Sequence, residues 1–62
     1  MVKFKIYRDI AEQYRWRLVA RNGEIVATSE AYTTKYGALI SARRVKTLAH
    51  IAIIVDLTTI SR

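Results

Sequence analysis

Tyr14-Arg15-Trp16-Arg17-Leu18-Val19-Ala20-Arg21-Asn22-Gly23-Glu24-Ile25-Val26-Ala27-Thr28-Ser29 is the stretch that decides the fold. Tyr14, Trp16, Leu18 and Ala20 alternate with Arg15, Arg17 and Val19, the period-two pattern of a half-buried strand. Asn22-Gly23 follows as a hairpin signal, because a type I′ turn needs positive φ at both central positions. With those two residues as the loop, Arg21 faces Glu24, Ala20 faces Ile25, Val19 faces Val26, Leu18 faces Ala27 and Arg15 faces Glu30. Apolar residues then meet apolar ones, and two opposite-charge pairs each contribute roughly a few tenths of a kcal/mol.

Upstream, Lys3-Phe4-Lys5-Ile6-Tyr7-Arg8 alternates in the same way. Placing Ile6 opposite Trp16 puts Phe4 opposite Leu18, and the combined register defines a core face of Phe4, Ile6, Trp16, Leu18, Ala20, Ile25 and Ala27. After Tyr32 the period changes. Thr33 or Thr34 can cap a helix N-terminus by accepting a backbone N–H. Ala38, Ala42, Val45 and Ala49 recur at helical spacing, with Leu39 and Leu48 on the flanks, and predict an amphipathic helix. Gly37 in its first turn costs roughly 1 kcal/mol against alanine. Small residues on the inner side suit close packing onto a sheet. The last segment, Ile51-Ala52-Ile53-Ile54-Val55-Asp56-Leu57, is β-branched and apolar on both sides, the pattern of a strand covered on two faces. Three strands and one helix cover such a strand poorly, whereas a second copy of the protein would cover it well.

These elements make an α+β chain of β-β-β-α-β order, a two-layer sheet plus helix, in a single domain spanning 1–62. The expected bounds are about 3–9, 14–21 and 24–30 for the first three strands, 34–49 for the helix and 51–57 for the last strand. Sixty-two residues give a thin hydrophobic surplus, and domains this small lean on disulfides, a metal or a partner. The chain has no cysteine and one histidine, His50, which removes disulfides and an ordinary structural zinc site. That leaves good packing or oligomerisation, and a hydrophobic fraction of 52 % favours oligomerisation, with Ile51, Ile53, Ile54, Val55 and Leu57 as the candidate interface between copies.

The signature Phe4-Lys5-Ile6-Tyr7-Arg8-Asp9, Tyr14-Arg15-Trp16-Arg17-Leu18, Asn22-Gly23-Glu24-Ile25-Val26-Ala27-Thr28-Ser29-Glu30, Tyr32-Thr33, Lys35, Val45-Lys46 and Asp56-Leu57-Thr58 resembles the small, uncharacterised YegP-like family of bacteria and archaea. It runs from about Lys3 to Thr59. The resemblance implies a β-β-β-α-β unit that occurs as a tandem repeat or as a dimer of single units. Two units then share one continuous antiparallel sheet and exchange their C-terminal strands. One copy here points to the homodimer, although the residues themselves do not separate an exchanged strand from one folded back on its own chain. The family brings no established activity. The sequence departs from it at Ile10-Ala11-Glu12, which lacks the usual glycine, at Ala31, where glycine is usual, and in the more basic helix stretch Ile40-Ser41-Ala42-Arg43-Arg44. The first loop is therefore expected to be longer or tighter, and the helix register is less constrained than the strands.

Eleven Lys and Arg against five Asp and Glu give a net charge of +6, which biases the chain toward acidic partners. Opposite the core face lie Lys3, Lys5, Tyr7, Arg15 and Arg17, with Val19, Val26 and Thr28, and Lys5 stands across from Arg17. Like charges directly opposed are destabilising, so these five residues are a candidate contact for nucleic acid or an acidic protein. A solvated face, with Arg15 paired to Glu30 and stacked on Tyr7, explains the same residues without a ligand. Arg43, Arg44, Lys46 and Lys35 read as the wet side of the helix, across the sheet from Arg15 and Arg17. Trp16 reads as a core anchor. The acids Asp9, Glu12, Glu24, Glu30 and Asp56 are scattered, His50 has no partner acid or nucleophile in an identifiable relation, and no phosphate loop exists. The expectation is a protein that is not an enzyme and holds no cofactor or metal. Its alternating N-terminus and short apolar runs predict a cytoplasmic protein with no membrane attachment. Its function is expected to be that of a homodimeric structural or interaction module, the alternative being non-specific nucleic-acid binding on the basic sheet face.

Overall fold

Both hairpins close on the same three-residue loop. In the computed structural model, which describes residues 1–58, the Ala20 carbonyl accepts from Gly23 N at 3.0 Å while Ala20 N donates to the Glu24 carbonyl at 2.8 Å. The Asp9 carbonyl likewise accepts from Glu12 N at 2.9 Å while Asp9 N donates to the Gln13 carbonyl at 2.8 Å. Such loops need one residue in the left-handed region to rejoin the ladder. Gly23 takes that place at φ +90° in one and Glu12 at φ +62° in the other. Asn22 has no positive φ, so the expected two-residue type I′ turn is replaced by this longer loop. Around Glu12, Asp9 Oδ1 accepts from Ala11 N and Gln13 N, both at 2.9 Å, and holds the turn that lacks glycine.

The longer loop moves the register. Strands β1 (Lys3–Arg8), β2 (Tyr14–Val19) and β3 (Ile25–Thr28) form an antiparallel sheet in the order β1-β2-β3. Between β1 and β2 the pairs Ile6 with Trp16, Phe4 with Leu18 and Lys5 with Arg17 lie where the alternation puts them. Between β2 and β3, Leu18 faces Ala27 as expected, but Val19 faces Ile25 across a bulge that leaves Val26 over. The expected pairs of Val19 with Val26 and Ala20 with Ile25 are corrected accordingly. Directly paired residues share a face, so Ile25 leaves the core side and is 51 % exposed, whereas Val19 on the open side is only 8 % exposed. A second irregularity follows at Ser29. Its hydroxyl accepts from Trp16 N at 3.0 Å and donates to the Glu30 carbonyl at 2.7 Å. Beyond it the ladder resumes as a bridge from Tyr14 to Tyr32.

Helix α1 (Lys35–Ile51) starts at Thr34, whose Oγ1 accepts from Gly37 N at 2.9 Å. A β-carbon at Gly37 would come within 3.2 Å of that Oγ1 and 3.5 Å of the Tyr32 β-carbon, so glycine lets the first turn close onto Tyr32. Ala38 and Ala42 are buried against the sheet. Trp16, 6 % exposed, meets Phe4 edge to face at 5.1 Å. Its indole Nε1 donates to Ser41 Oγ at 3.0 Å, and the Tyr32 hydroxyl donates to the same oxygen at 2.8 Å. Seventeen helical residues run about 25 Å, against about 20 Å for a six-residue strand. The last turns overhang the sheet, and Ala49, expected on the inner side, is exposed.

Ile51 closes the helix instead of opening a strand, and Ala52 leaves it extended at φ −72°, ψ 145°. Residues 52–57 form no strand, a correction to the one expected over 51–57. A strand exists where a neighbouring strand runs alongside it, and the sheet of the described residues ends at β1 and β3 without reaching this segment. The radius of gyration is 14.4 Å, where a compact chain of this length would have roughly 11 Å.

Candidate interaction surfaces

The sheet has one face under the helix and one face open. On the open face β1 contributes Lys3, Lys5 and Tyr7, and β2 contributes Arg15 and Arg17. The five do not act alike. Arg15 Nε donates to Asp9 Oδ2 at 2.8 Å and its Nη1 reaches the Ser29 carbonyl at 3.3 Å, so its charge is already matched within the chain. The expected pair with Glu30 is replaced by this one with Asp9. The Asp9 carboxyl is held below the ordinary carboxylate range by the Gln13 amide first and the Arg15 guanidinium second. Arg17, not Arg15, covers Tyr7, with its guanidinium carbon 4.1 Å from the ring centroid. Arg17 Nε is shielded from water and donates to no acceptor. The ring face supplies the attraction a carboxylate would otherwise give. Lys3 and Lys5 are exposed. Among the described residues the ion pairs are Arg15 with Asp9 and the exposed Arg8 with Glu12 at 3.7 Å.

The second surface lies at the other side of β1. That strand is a free edge, and between it and the helix runs an apolar groove of about 460 Å³. Phe4, Ile6 and Leu18 line it from the sheet, Leu39 from the helix, and Arg43 and Lys46 rim it. The residues expected at a dimer interface all face solvent: Ile51 is 69 % exposed, Ile53 82 %, Ile54 97 %, Val55 65 % and Leu57 72 %.

Sequence reasoning missed Ser41, the acceptor that Trp16 and Tyr32 share, although a serine on the inner side of a helix otherwise lined by alanine was the available signal. Arg43, Arg44 and His50 are exposed on the helix, so the two basic groups lie on different faces, as expected. Among the described residues no three of His, Cys, Asp or Glu gather as a metal site would require. No described helix is long and apolar enough to cross a membrane.

The model of a domain of unknown function, DUF1508, matches residues 9–56. The chain belongs to the DUF1508 family. Its relatives are named UPF0339 proteins, the YegP-like group, from bacteria and archaea. The one from Treponema denticola is 43 % identical over 54 residues, 87 % of this chain and 93 % of the relative. One from Agrobacterium fabrum is 43 % identical over 61 residues, 98 % of each chain. Two solution NMR structures share the fold. A protein from Haloferax volcanii superimposes with a TM-score of 0.79 at 38 % identity, covering 89 % of this chain and 93 % of that one. The Agrobacterium tumefaciens protein ATU0232 does so with a TM-score of 0.75 at 44 % identity over 95 % of both. The three antiparallel strands and the helix of this chain thus match both solved structures, and the family is one of unknown function with no catalytic role indicated.

Proposed function

We propose that this DUF1508 chain is a homodimeric interaction module without catalytic activity, in which the segment 51–57 of each copy is taken up by the other. One observation carries the proposal. Ile53, Ile54, Val55 and Leu57 stand in solvent while an apolar groove lies open beside the free edge strand of the same molecule. Burying an aliphatic side chain of this size stabilises by about 2 kcal/mol, so leaving four of them wet is costly for a domain this small. Pairing along β1 would also cover the free edge of the sheet with a further strand. Alternate residues Ile53, Val55 and Leu57 would enter the groove, and the sheets of two copies would join. An exchange of final strands is what the family resemblance implies. Cytoplasmic residence belongs to the same proposal, and cell fractionation tests it. Sedimentation equilibrium at micromolar concentration tests the assembly. The expected mass is that of two 7.1 kDa chains, and Ile53→Lys with Val55→Lys is expected to shift it to one. A 7.1 kDa species for the unaltered chain would overturn the proposal.

A second reading, nucleic-acid binding on the open sheet face, is favoured by one observation. Lys3, Lys5 and Arg17 have no carboxylate partner among the described residues, although Lys5 and Arg17 stand directly opposite each other. The five-residue footprint contracts to these three, because Arg15 is matched by Asp9 and Tyr7 lies under Arg17. An acidic protein partner would use the same cations. Electrophoretic mobility of labelled oligonucleotides at low salt tests the reading, and no shift at low salt rejects it.

A further inference from the structure

We propose that the open sheet face takes single-stranded nucleic acid, with the Arg17 guanidinium as the plate on which a base stacks and Lys3 and Lys5 as phosphate contacts. The inference rests on the nucleic-acid reading of the same face and names its ligand class and the part each residue plays.

The arrangement of Arg17 is the starting point. A guanidinium that meets phosphate as a plain charge turns its N–H groups outward. Here one side of the group is backed by the Tyr7 ring at 4.1 Å and Nε is closed off from water. A guanidinium held against a ring is restrained, and its outer surface offers a delocalised plane of the kind on which unpaired bases stack. The surroundings match a base better than an ion. In the neighbouring cross-strand row Lys3, Val19 and Ile25 stand side by side, so an exposed isoleucine and a cation flank the plate together.

The cations are set for a backbone. Lys3 and Lys5 are two residues apart on one strand, about 6.8 Å along it, and both project from the side that carries Arg17. At the far end of the face Asp9 neutralises Arg15, so the positive field is concentrated toward the Lys3 end of β1. In an exchanged dimer the alternation of the tail would bring Asp56 to this side, one carboxylate against three cations, and the face would stay positive.

The shape selects single strands. Reading a duplex takes a helix or a two-stranded ribbon that enters the major groove. The open face is the surface of a three-stranded sheet, and the one helix packs on the opposite side. Unpaired bases can lie down on such a face, whereas paired bases turn only their edges toward it.

Fluorescence anisotropy with the full chain tests this, using a labelled oligothymidylate of roughly 15 nucleotides, the RNA equivalent and a duplex of the same length. The single strands are expected to bind at least about tenfold tighter than the duplex, with a log–log salt slope near about −2 for three cations. Lys5→Gln is expected to reduce that slope by about 0.7. Arg17→Lys keeps the charge and loses the plate, so it is expected to weaken single-strand binding roughly tenfold at an unchanged slope. Lys35→Gln with Arg44→Gln, exposed on the helix and away from the groove, is expected to change nothing. Trp16 fluorescence of each variant verifies that the fold is kept. Duplex bound as tightly as single strands overturns the single-strand assignment and leaves the nucleic-acid reading standing. Arg17→Lys binding like the unaltered chain overturns the stacking role and likewise leaves that reading standing, whereas the helix variant losing most of the affinity moves the site off the sheet face and overturns both. No binding of any oligonucleotide at low salt overturns both.

Discussion

Removing one oxygen from the core measures how much the polar contact under the helix contributes. Ser41 Oγ accepts the indole N–H of Trp16 at 3.0 Å and the phenol of Tyr32 at 2.8 Å. Ser41→Ala leaves both donors without it. Tyr32 is half-buried and can turn its hydroxyl to water, but Trp16 is only 6 % exposed and its N–H has nowhere to go. An unsatisfied buried N–H costs about 2 kcal/mol. Alanine returns about 0.5 kcal/mol through its better helix propensity, so the net loss is about 1.5 kcal/mol. In a chain of this size that corresponds to a fall in Tm of about 10 °C. Urea unfolding followed by the fluorescence of Trp16 reads the loss directly, at a fixed protomer concentration because association raises apparent stability. Ser41→Thr, which keeps the oxygen, is the reference, and the m-value is expected to hold. A Ser41→Ala protein as stable as the parent would refute the reasoning, since the indole would then have found another acceptor.

The equivalent loop positions Glu12 and Gly23 give opposite expectations. Glu12→Gly is expected to stabilise by about 0.5 kcal/mol, because a side chain at positive φ costs more than the extra freedom of glycine in the unfolded chain. Gly23→Ala, with no atom within 4 Å of the added carbon, is expected to cost about 1 kcal/mol from backbone strain alone. Thermal unfolding monitored by circular dichroism separates the two signs. Because the folded carboxyl of Asp9 titrates below its ordinary value of 3.8, its contribution is full above that value and is lost as the pH falls through the folded one. Asp9→Asn, which keeps the acceptor for the Ala11 and Gln13 amides, is expected to flatten the acid limb of a stability–pH curve. Thr34→Ala is expected to cost about 1 kcal/mol by removing the cap on Gly37 N, measured by the same urea unfolding.

Alternation made β1 and β2 legible residue by residue, because a half-buried strand writes its two faces into the sequence and Phe4, Ile6, Trp16 and Leu18 leave no other register. The helix start was legible to within a residue, as Thr33 or Thr34, and Thr34 is the one that caps it. Turn chemistry was less so. Asn22-Gly23 fits a two-residue turn, yet glycine alone at positive φ also closes a three-residue loop, and that choice moved Ile25 to the open face and left Val26 over. The glutamate at position 12 hid the same loop in the first hairpin. On the basic face the sequence named the cations and could not say which were already matched. Asp9 and Arg15 are neighbours only once the first hairpin has closed, and the irregularity at Ser29 depends on a hydroxyl replacing a backbone acceptor. The tail is the extreme case. Its apolar character is written on both sides, but what covers it is not a property of one chain.

Isotope-filtered NOE spectra on a mixture of labelled and unlabelled protein address that tail most directly. An exchanged tail predicts cross-peaks from the methyl groups of Ile53 and Val55 in one copy to the Phe4 ring and Ile6 side chain of the other. Tail methyls that contact only their own chain, in a sample free of intermolecular cross-peaks, would contradict it.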